Sequence, residues 1–279
     1  MQKIPCLNLA EMMNGIYEKE GTFMVSVSQM LAESGYSRFT RMYIGSSFCA
    51  IYFLHASTDI IKALNLVCEK EQCRITLVLP IFTERYLEMA KEKIEELVTA
   101  AGVYLDEITV NDYGMLEYIH NHYEVKINLG RLFVKDYRDK RYGDYFHSCV
   151  RPNIFNRSML HLINDFRVRG VELDLTHEKI DLCDAPFYLT IGFHYPYCYQ
   201  TVGHICEIGS TGQFMDKKFR AGLNCNLECE SQIVHYSSEE GGHYLKYGRA
   251  VYFENPECNI VNGNEIRLIY SPKRLGGQQ

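Results

Sequence analysis

Short apolar and β-branched runs alternate along this chain with longer stretches whose apolar residues recur at helical spacing. The runs Met42–Ile44, Ile75–Leu79, Glu107–Val110, Val125–Leu129, Val171–Leu175 and Phe187–Phe193 read as strands. Leu87, Ala90, Ile94, Leu97, Val98 and Ala101 share one helical face, which predicts a helix over Thr83–Ala101, capped by Thr83 and stopped by Gly102. Asn111 and Asp112 open a second helix, Gly114–Tyr123. A third, Ser158–Val168, turns Leu160, Ile163 and Phe166 inward. Strand–helix–strand alternation implies parallel pairing, with helices covering the sheet.

From about Phe187 onward the helical signal fades. Tyr, His, Gly and Cys dominate there, and Ala250–Phe253 and Glu265–Tyr270 read as late strands. No internal repeat, low-complexity tract or Pro/Gly/Ser linker divides the chain. The prediction is one α/β domain over residues 1–279, (β/α) barrel-like, with an incomplete or distorted barrel allowed for and a Cys/Tyr-rich C-terminal part. An open α/β sheet is the second reading. Barrel active sites lie at the C-terminal ends of the strands. Cys49, Asp112, Arg131, Asp174 and His194 each follow or close a different predicted strand, so one rim should gather them.

Composition narrows the function. Apolar residues at 47% and charged residues at 23% supply an ordinary globular core. A net charge of −6 argues against a general nucleic-acid footprint. No apolar run reaches the roughly 18 residues needed to span a bilayer. The N-terminal residues lack the apolar stretch of a signal peptide, and eleven cysteines, an odd number, suit free thiols better than a disulfide framework. A reducing, cytoplasmic location is therefore expected.

The thiols carry the strongest chemical signal. Cys206 precedes residues 207–224 and then Cys225-Asn-Leu-Glu-Cys229, while Cys49 lies far upstream, just past a strand. Three clustered thiols and a distant fourth make the ligand set of an iron–sulfur cluster, which is held by about four thiolates. Cys198 and Cys258 are alternative fourth ligands, and His204 stands close to Cys206. Structural zinc sites pair thiols as C-x2-C knuckles; one C-x3-C with two scattered thiols fits a cluster better. Cluster-binding elements are thus expected around residue 49 and across 198–229. Cys68, Cys73, Cys149 and Cys183 read as small buried hydrophobes.

Candidates for catalysis are Asp112, Arg131 and His194. Each has a structural counterpart: Asp112 as a helix N-cap, Arg131 as half of an ion pair, His194 as part of a packed strand. Glu172 and Asp174 alternate to one face of their strand, and a basic partner would make them structural. The run Phe193-His-Tyr-Pro-Tyr-Cys-Tyr199 lines either a flat apolar pocket or a packed strand and turn. No G-x-S-x-G surrounds a serine and no H-E-x-x-H occurs, so nothing local marks a hydrolase.

Several motifs resemble a known family. Tyr43-Ile-Gly-Ser-Ser-Phe-Cys49, Val110-Asn-Asp-Tyr-Gly114, Leu129-Gly-Arg-Leu-Phe133, Gly170-Val-Glu172, Gln200-Thr-Val-Gly-His-Ile-Cys206, Cys225-Asn-Leu-Glu-Cys229 and Tyr247-Gly-Arg-Ala-Val-Tyr-Phe-Glu-Asn255 resemble the collagenase-like peptidase family of unassigned catalytic type. They span about residues 40–255 and are most similar to its short UbiV-like branch, accessory proteins of oxygen-independent ubiquinone hydroxylation. The resemblance implies a barrel-like fold and a [4Fe–4S] cluster on Cys49, Cys206, Cys225 and Cys229. The related UbiU-like branch would place it on Cys198, Cys206, Cys225 and Cys258. It further implies a redox or hydroxylation component acting on a small aromatic or nucleobase substrate, alone or beside a UbiU-like paralogous partner. A collagenase-like hydrolase, or a non-catalytic cluster-bearing subunit, is the alternative. Two departures stand out: the segment between Cys206 and Cys225 is long for that branch, and Ala50-Ile-Tyr-Phe53 follows Cys49 where the family carries basic residues.

Overall fold

A computed structural model describes residues 2–10, 23–134, 149–220, 225–237, 242–263 and 265–272, the side chains of 23–26 excepted. In chain order the strands are β1 (Gln2–Asn8), β2 (Arg41–Gly45), β3 (Arg74–Val78), β4 (Leu105–Val110), β5 (Lys126–Leu129), β6 (Cys149–Val150), β7 (Gly170–Asp174) and β8 (Lys179–Asp181). They continue with β9 (Thr190–Tyr195), β10 (Tyr197–Val202), β11 (Val234–Ser237), β12 (His243–Tyr247), β13 (Ala250–Glu254), β14 (Ile260–Val261) and β15 (Glu265–Tyr270). The α-helices are α1 (Phe23–Ser34), α2 (Ala50–Leu54), α3 (Thr58–Glu71), α4 (Leu87–Ala101), α5 (Tyr113–His122) and α6 (Arg157–Asp165).

Eight strands in the order β1-β15-β9-β7-β5-β4-β3-β2 close a barrel, and every neighbouring pair is parallel. The barrel is complete, which excludes the open-sheet reading. β2 and β7 are buried at every position. One side of each strand faces the barrel interior and the other is covered by helices, so such strands read as unbroken apolar runs. Ile60, Leu64, Ile94, Leu97, Leu116 and Ile163 bring the helices into the same core as the strands.

Buried polar side chains of the barrel strands pair with one another. Arg267 forks onto Glu107 at 2.6 and 2.9 Å, Asn128 Nδ2 donates to Glu107 at 3.1 Å, and Arg41 donates to Asp106 at 2.7 Å and Thr76 at 3.0 Å. Burial pushes Glu107 up, but the Arg267 fork, Arg41 and Asn128 outweigh it and hold its carboxyl at about 2.

Several boundaries differ from the sequence reading. β1 was not foreseen, so Cys49 follows the second barrel strand. A 3-10 turn, Glu84–Tyr86, precedes α4, and Thr83 makes no side-chain cap bond. α6 stops at Asp165 because Arg167 turns left-handed at φ +51. β9 begins at Thr190, and Phe187 lies 89% exposed in the turn before it. The Cys/Tyr-rich part is an antiparallel sheet in the order β10-β13-β12-β11, whose pairing the sequence did not reveal. β6, β8 and β14 form a third, small sheet.

Candidate functional site

The loop after β2 sets Cys49. Ser46 Oγ accepts from the amides of Phe48 (3.3 Å) and Cys49 (2.8 Å), turning the chain so that Cys49 caps α2. Its sulfur accepts from Tyr52 N at 3.5 Å. β10 leads to the second thiol, whose turn is fastened by Ser210: its amide (3.1 Å) and its hydroxyl (2.8 Å) both donate to Cys206 O. Gly209 N donates to Cys206 Sγ at 3.3 Å. A Cβ at Gly209 would lie 3.1 Å from Cys225 Cβ and 3.5 Å from Cys206 Sγ, so a side chain there would crowd the two cysteines across the turn.

Cys225 and Cys229 flank a turn in which Leu227 is left-handed at φ +58, with Cys229 buried in the 3-10 turn Glu228–Glu230. The β12–β13 hairpin approaches from the other side. Its two-residue connection places Gly248 at φ +55, the left-handed first position such tight turns favour, and a Cβ there would sit 4.0 Å from Cys229 Sγ. Arg249 Nε donates to Gly203 O at 2.7 Å, and Lys246 pairs with Glu207, so the hairpin is tied to the segment around Cys206 from β12 and from its connection.

Cys49, Cys206, Cys225 and Cys229 line one cavity of about 90 Å³, together with Arg220 and Arg249. Burial pushes the Cys49 thiol up to about 11, with the nearby Cys225 and Cys206 adding to the effect and Tyr52 N–H and Arg249 opposing it. Burial likewise raises Cys225, against an amide bond from Leu227. A metal must therefore displace protons on entering. Among the described residues no group of three or more His, Cys, Asp or Glu is already drawn together to hold a metal ion. The donor set, four thiols with backbone N–H groups aimed at three of the sulfurs, fits a thiolate-held group.

Cys198 and Cys258, the alternative ligands, do not line this cavity. Cys198 is fully buried, donating to His194 O at 3.5 Å, and Cys258 packs against the barrel core. Cys68 and Cys73 are buried as foreseen, whereas Cys183 is exposed, because it follows β8 in an outer turn.

The three catalytic candidates lie at C-terminal strand ends on the thiol side of the barrel, yet outside the thiol cavity. Asp112 caps α5 through Met115 N at 2.8 Å. Arg131 is 2% exposed and forks onto Asp174, Nε to Oδ2 at 3.1 Å and Nη2 to Oδ1. Its guanidinium lies over the rings of Phe48 (5.2 Å), Tyr199 (5.4 Å) and Tyr252 (5.9 Å). Asp174 also accepts from Tyr199 N at 2.9 Å. Arg131 and Asp174 thus seat β10 on the barrel. His194, 1% exposed, shares a 2.9 Å bond with Glu172, which accepts from Thr109 at 2.5 Å. Burial pushes Glu172 up to about 7. The aromatic run 193–199 is a packed strand, turn and strand. Gly209, Gly248, Arg220 and Arg249 were missed, since only the hairpin's glycine could have hinted at them.

Fold and site together define a (β/α) barrel-like protein with a four-thiol cavity at its C-terminal rim. Among the described residues, no helix is long and apolar enough to cross a membrane. The chain matches no protein-family model, no curated protein and no solved structure. The family resemblance accordingly stands on its motifs alone.

Proposed function

We propose that this is a cytoplasmic iron–sulfur protein of the UbiV-like kind, in which Cys49, Cys206, Cys225 and Cys229 hold a [4Fe–4S] cluster. It would serve an oxygen-independent hydroxylation or related redox step, alone or with a UbiU-like partner, on a small aromatic or nucleobase substrate. One observation carries the reading: four thiols from three separated segments converge on one cavity, and the alternative thiols Cys198 and Cys258 stay outside it. When bound, the cluster supplies one-electron chemistry. Tyr52 and Gly209 donate backbone hydrogen bonds to two of the sulfurs, the contacts by which a protein tunes such a potential. Arg249 lends positive charge beside Cys49 and offsets that of the thiolates.

Zinc would need the four sulfurs within about 3.8 Å of one another, the spacing set by Zn–S bonds of about 2.3 Å around a tetrahedron. A cluster is wider than a lone ion and holds its thiolates further apart.

Protein purified without oxygen is expected to contain about four iron and four sulfide per chain, the content of one cubane cluster, with the matching electron paramagnetic resonance signal after reduction. Serine at any of the four positions should lower the iron content, whereas Cys68→Ala should not. Stoichiometric zinc without iron overturns the cluster. Gelatin or peptide cleavage that survives Cys225→Ser restores the hydrolase reading.

A further inference from the structure

The turn beyond Cys206 presents exposed apolar side chains beside cations. Residues 213–220 read Gln-Phe-Met-Asp-Lys-Lys-Phe-Arg, three cations against one acid in a chain of net charge −6. Phe214 is 79% exposed, Met215 84% and Phe219 58%. Aromatic residues, Met and Arg are the types enriched where proteins dock.

This turn is built. Lys217 N donates to Phe214 O at 2.9 Å, and Gln213 N to Ser210 O at 3.2 Å. Phe219 stands at φ +54, a left-handed conformation that a bulky residue rarely adopts and that marks functional sites more often than ordinary loops. Its amide donates to Ser210 Oγ at 3.2 Å, and the same buried hydroxyl donates to Cys206 O. One serine thus carries both the thiol turn and the exposed turn. Arg220 closes the exposed turn and lines the thiol cavity.

We propose that residues 214–220 are the docking surface for an acidic one-electron carrier protein that reduces the cluster held beneath them. The proposal rests on the cluster reading. One electron leaves the reduced carrier, which becomes oxidised, and enters the cluster; no bond or proton moves. A carrier keeps its own redox group buried, so it needs a surface close to the acceptor, and Arg220 is shared by patch and cavity. Electron-transfer contacts are small, below about 1,200 Å² in total, so a single turn with its rim provides a sufficient footprint. Opposite charge sets the approach: the lysines attract an acidic partner while the rest of the chain repels it.

The test follows reduction of the iron-loaded chain by a reduced, acidic [2Fe–2S] ferredoxin of the plant type, in stopped flow at low and high salt. Lys217→Glu with Lys218→Glu should slow reduction about tenfold at low salt and remove most of its salt dependence, as loss of steering does. Phe214→Ser with Met215→Ser should slow it at every salt concentration. Iron content and the rate with dithionite should stay unchanged in both variants. A second readout needs no cluster: the charge reversal should weaken ferredoxin binding to the iron-free chain. Reduction by ferredoxin at wild-type rates in both variants overturns the proposal. Lysine-dependent binding to phosphatidylglycerol vesicles, without any effect on ferredoxin, assigns the patch to a lipid surface and overturns it too. A chain that takes up no iron removes the parent reading and this one with it, whereas a loaded chain with unchanged rates removes this one alone.

Discussion

The barrel and the sheet that caps its rim solve the problem of polar groups in opposite ways. Inside the barrel the polar side chains answer one another: Glu107 with Arg267 and Arg41, Glu172 with His194 and Thr109. In the cap, sulfur atoms face a cavity, backbone amides point at them, and large apolar side chains such as Phe214 and Met215 stand in water. The cap's own core is small, centred on Phe48, Tyr52, Tyr199, Tyr247 and Tyr252. A core of that size contributes little on its own, and small units of this kind commonly depend on a bound metal for stability. The barrel closes on itself through its eight strands, whereas the cap turns four thiols toward a cavity.

Arg131 joins the two regions, so its loss should have the largest effect. Arg131→Ala strands Asp174 in the interior and unseats Tyr199. A destabilisation of about 3–5 kcal/mol in urea unfolding is expected, as for other broken buried pairs, together with a lower iron content. Arg267→Ala removes a fork of the same kind deep in the barrel, where Arg41 still faces Glu107. It should cost about 3 kcal/mol or somewhat less, with full iron content. Iron loss in that variant would break the separation drawn here.

Glu172 allows a finer test. Its folded carboxyl keeps a proton up to about 7, against an ordinary value of 4.5. Between those values the folded state binds more protons than the unfolded one. The stabilising contribution is therefore full below about pH 4.5 and is lost as pH rises through 7, at up to about 1.4 kcal/mol per pH unit. Glu172→Gln should flatten that slope in unfolding curves taken from pH 5 to 7. The smallest effect is expected at Asp112, where alanine removes one N-cap and costs about 1 kcal/mol without touching the iron. An iron loss there would return Asp112 to the site.

Much of the barrel could be read from the chain because its inner strands are short apolar runs, as in Ile75–Val78 and Ile108–Val110. β1 escaped notice because Lys3, Pro5 and Asn8 interrupt its apolar residues. The pattern cannot show that this segment is held between β2 and β15. α3 was legible in Ile60, Ile61, Leu64 and Val67 at helical spacing, yet was not drawn out. Cys206, Cys225 and Cys229 stood out by spacing, and Cys49 by the motif around it. Their surroundings did not, because the Gly209 contact and the Arg249 bond to Gly203 join segments far apart in sequence. Asp112 and Arg131 illustrate the opposite limit: residue type suggested chemistry, and only geometry showed their charges already engaged.

β15 lies between β1 and β9, pairing Gln2 with Glu265 and Leu7 with Tyr270. On the ribosome the ring of strands cannot join until that final strand has been made, so the contacts that finish it are among the most distant in the chain and the slowest to form. All four cavity thiols leave the exit tunnel earlier. Each nascent chain therefore offers its sulfurs to the surrounding medium for the interval before the ring closes.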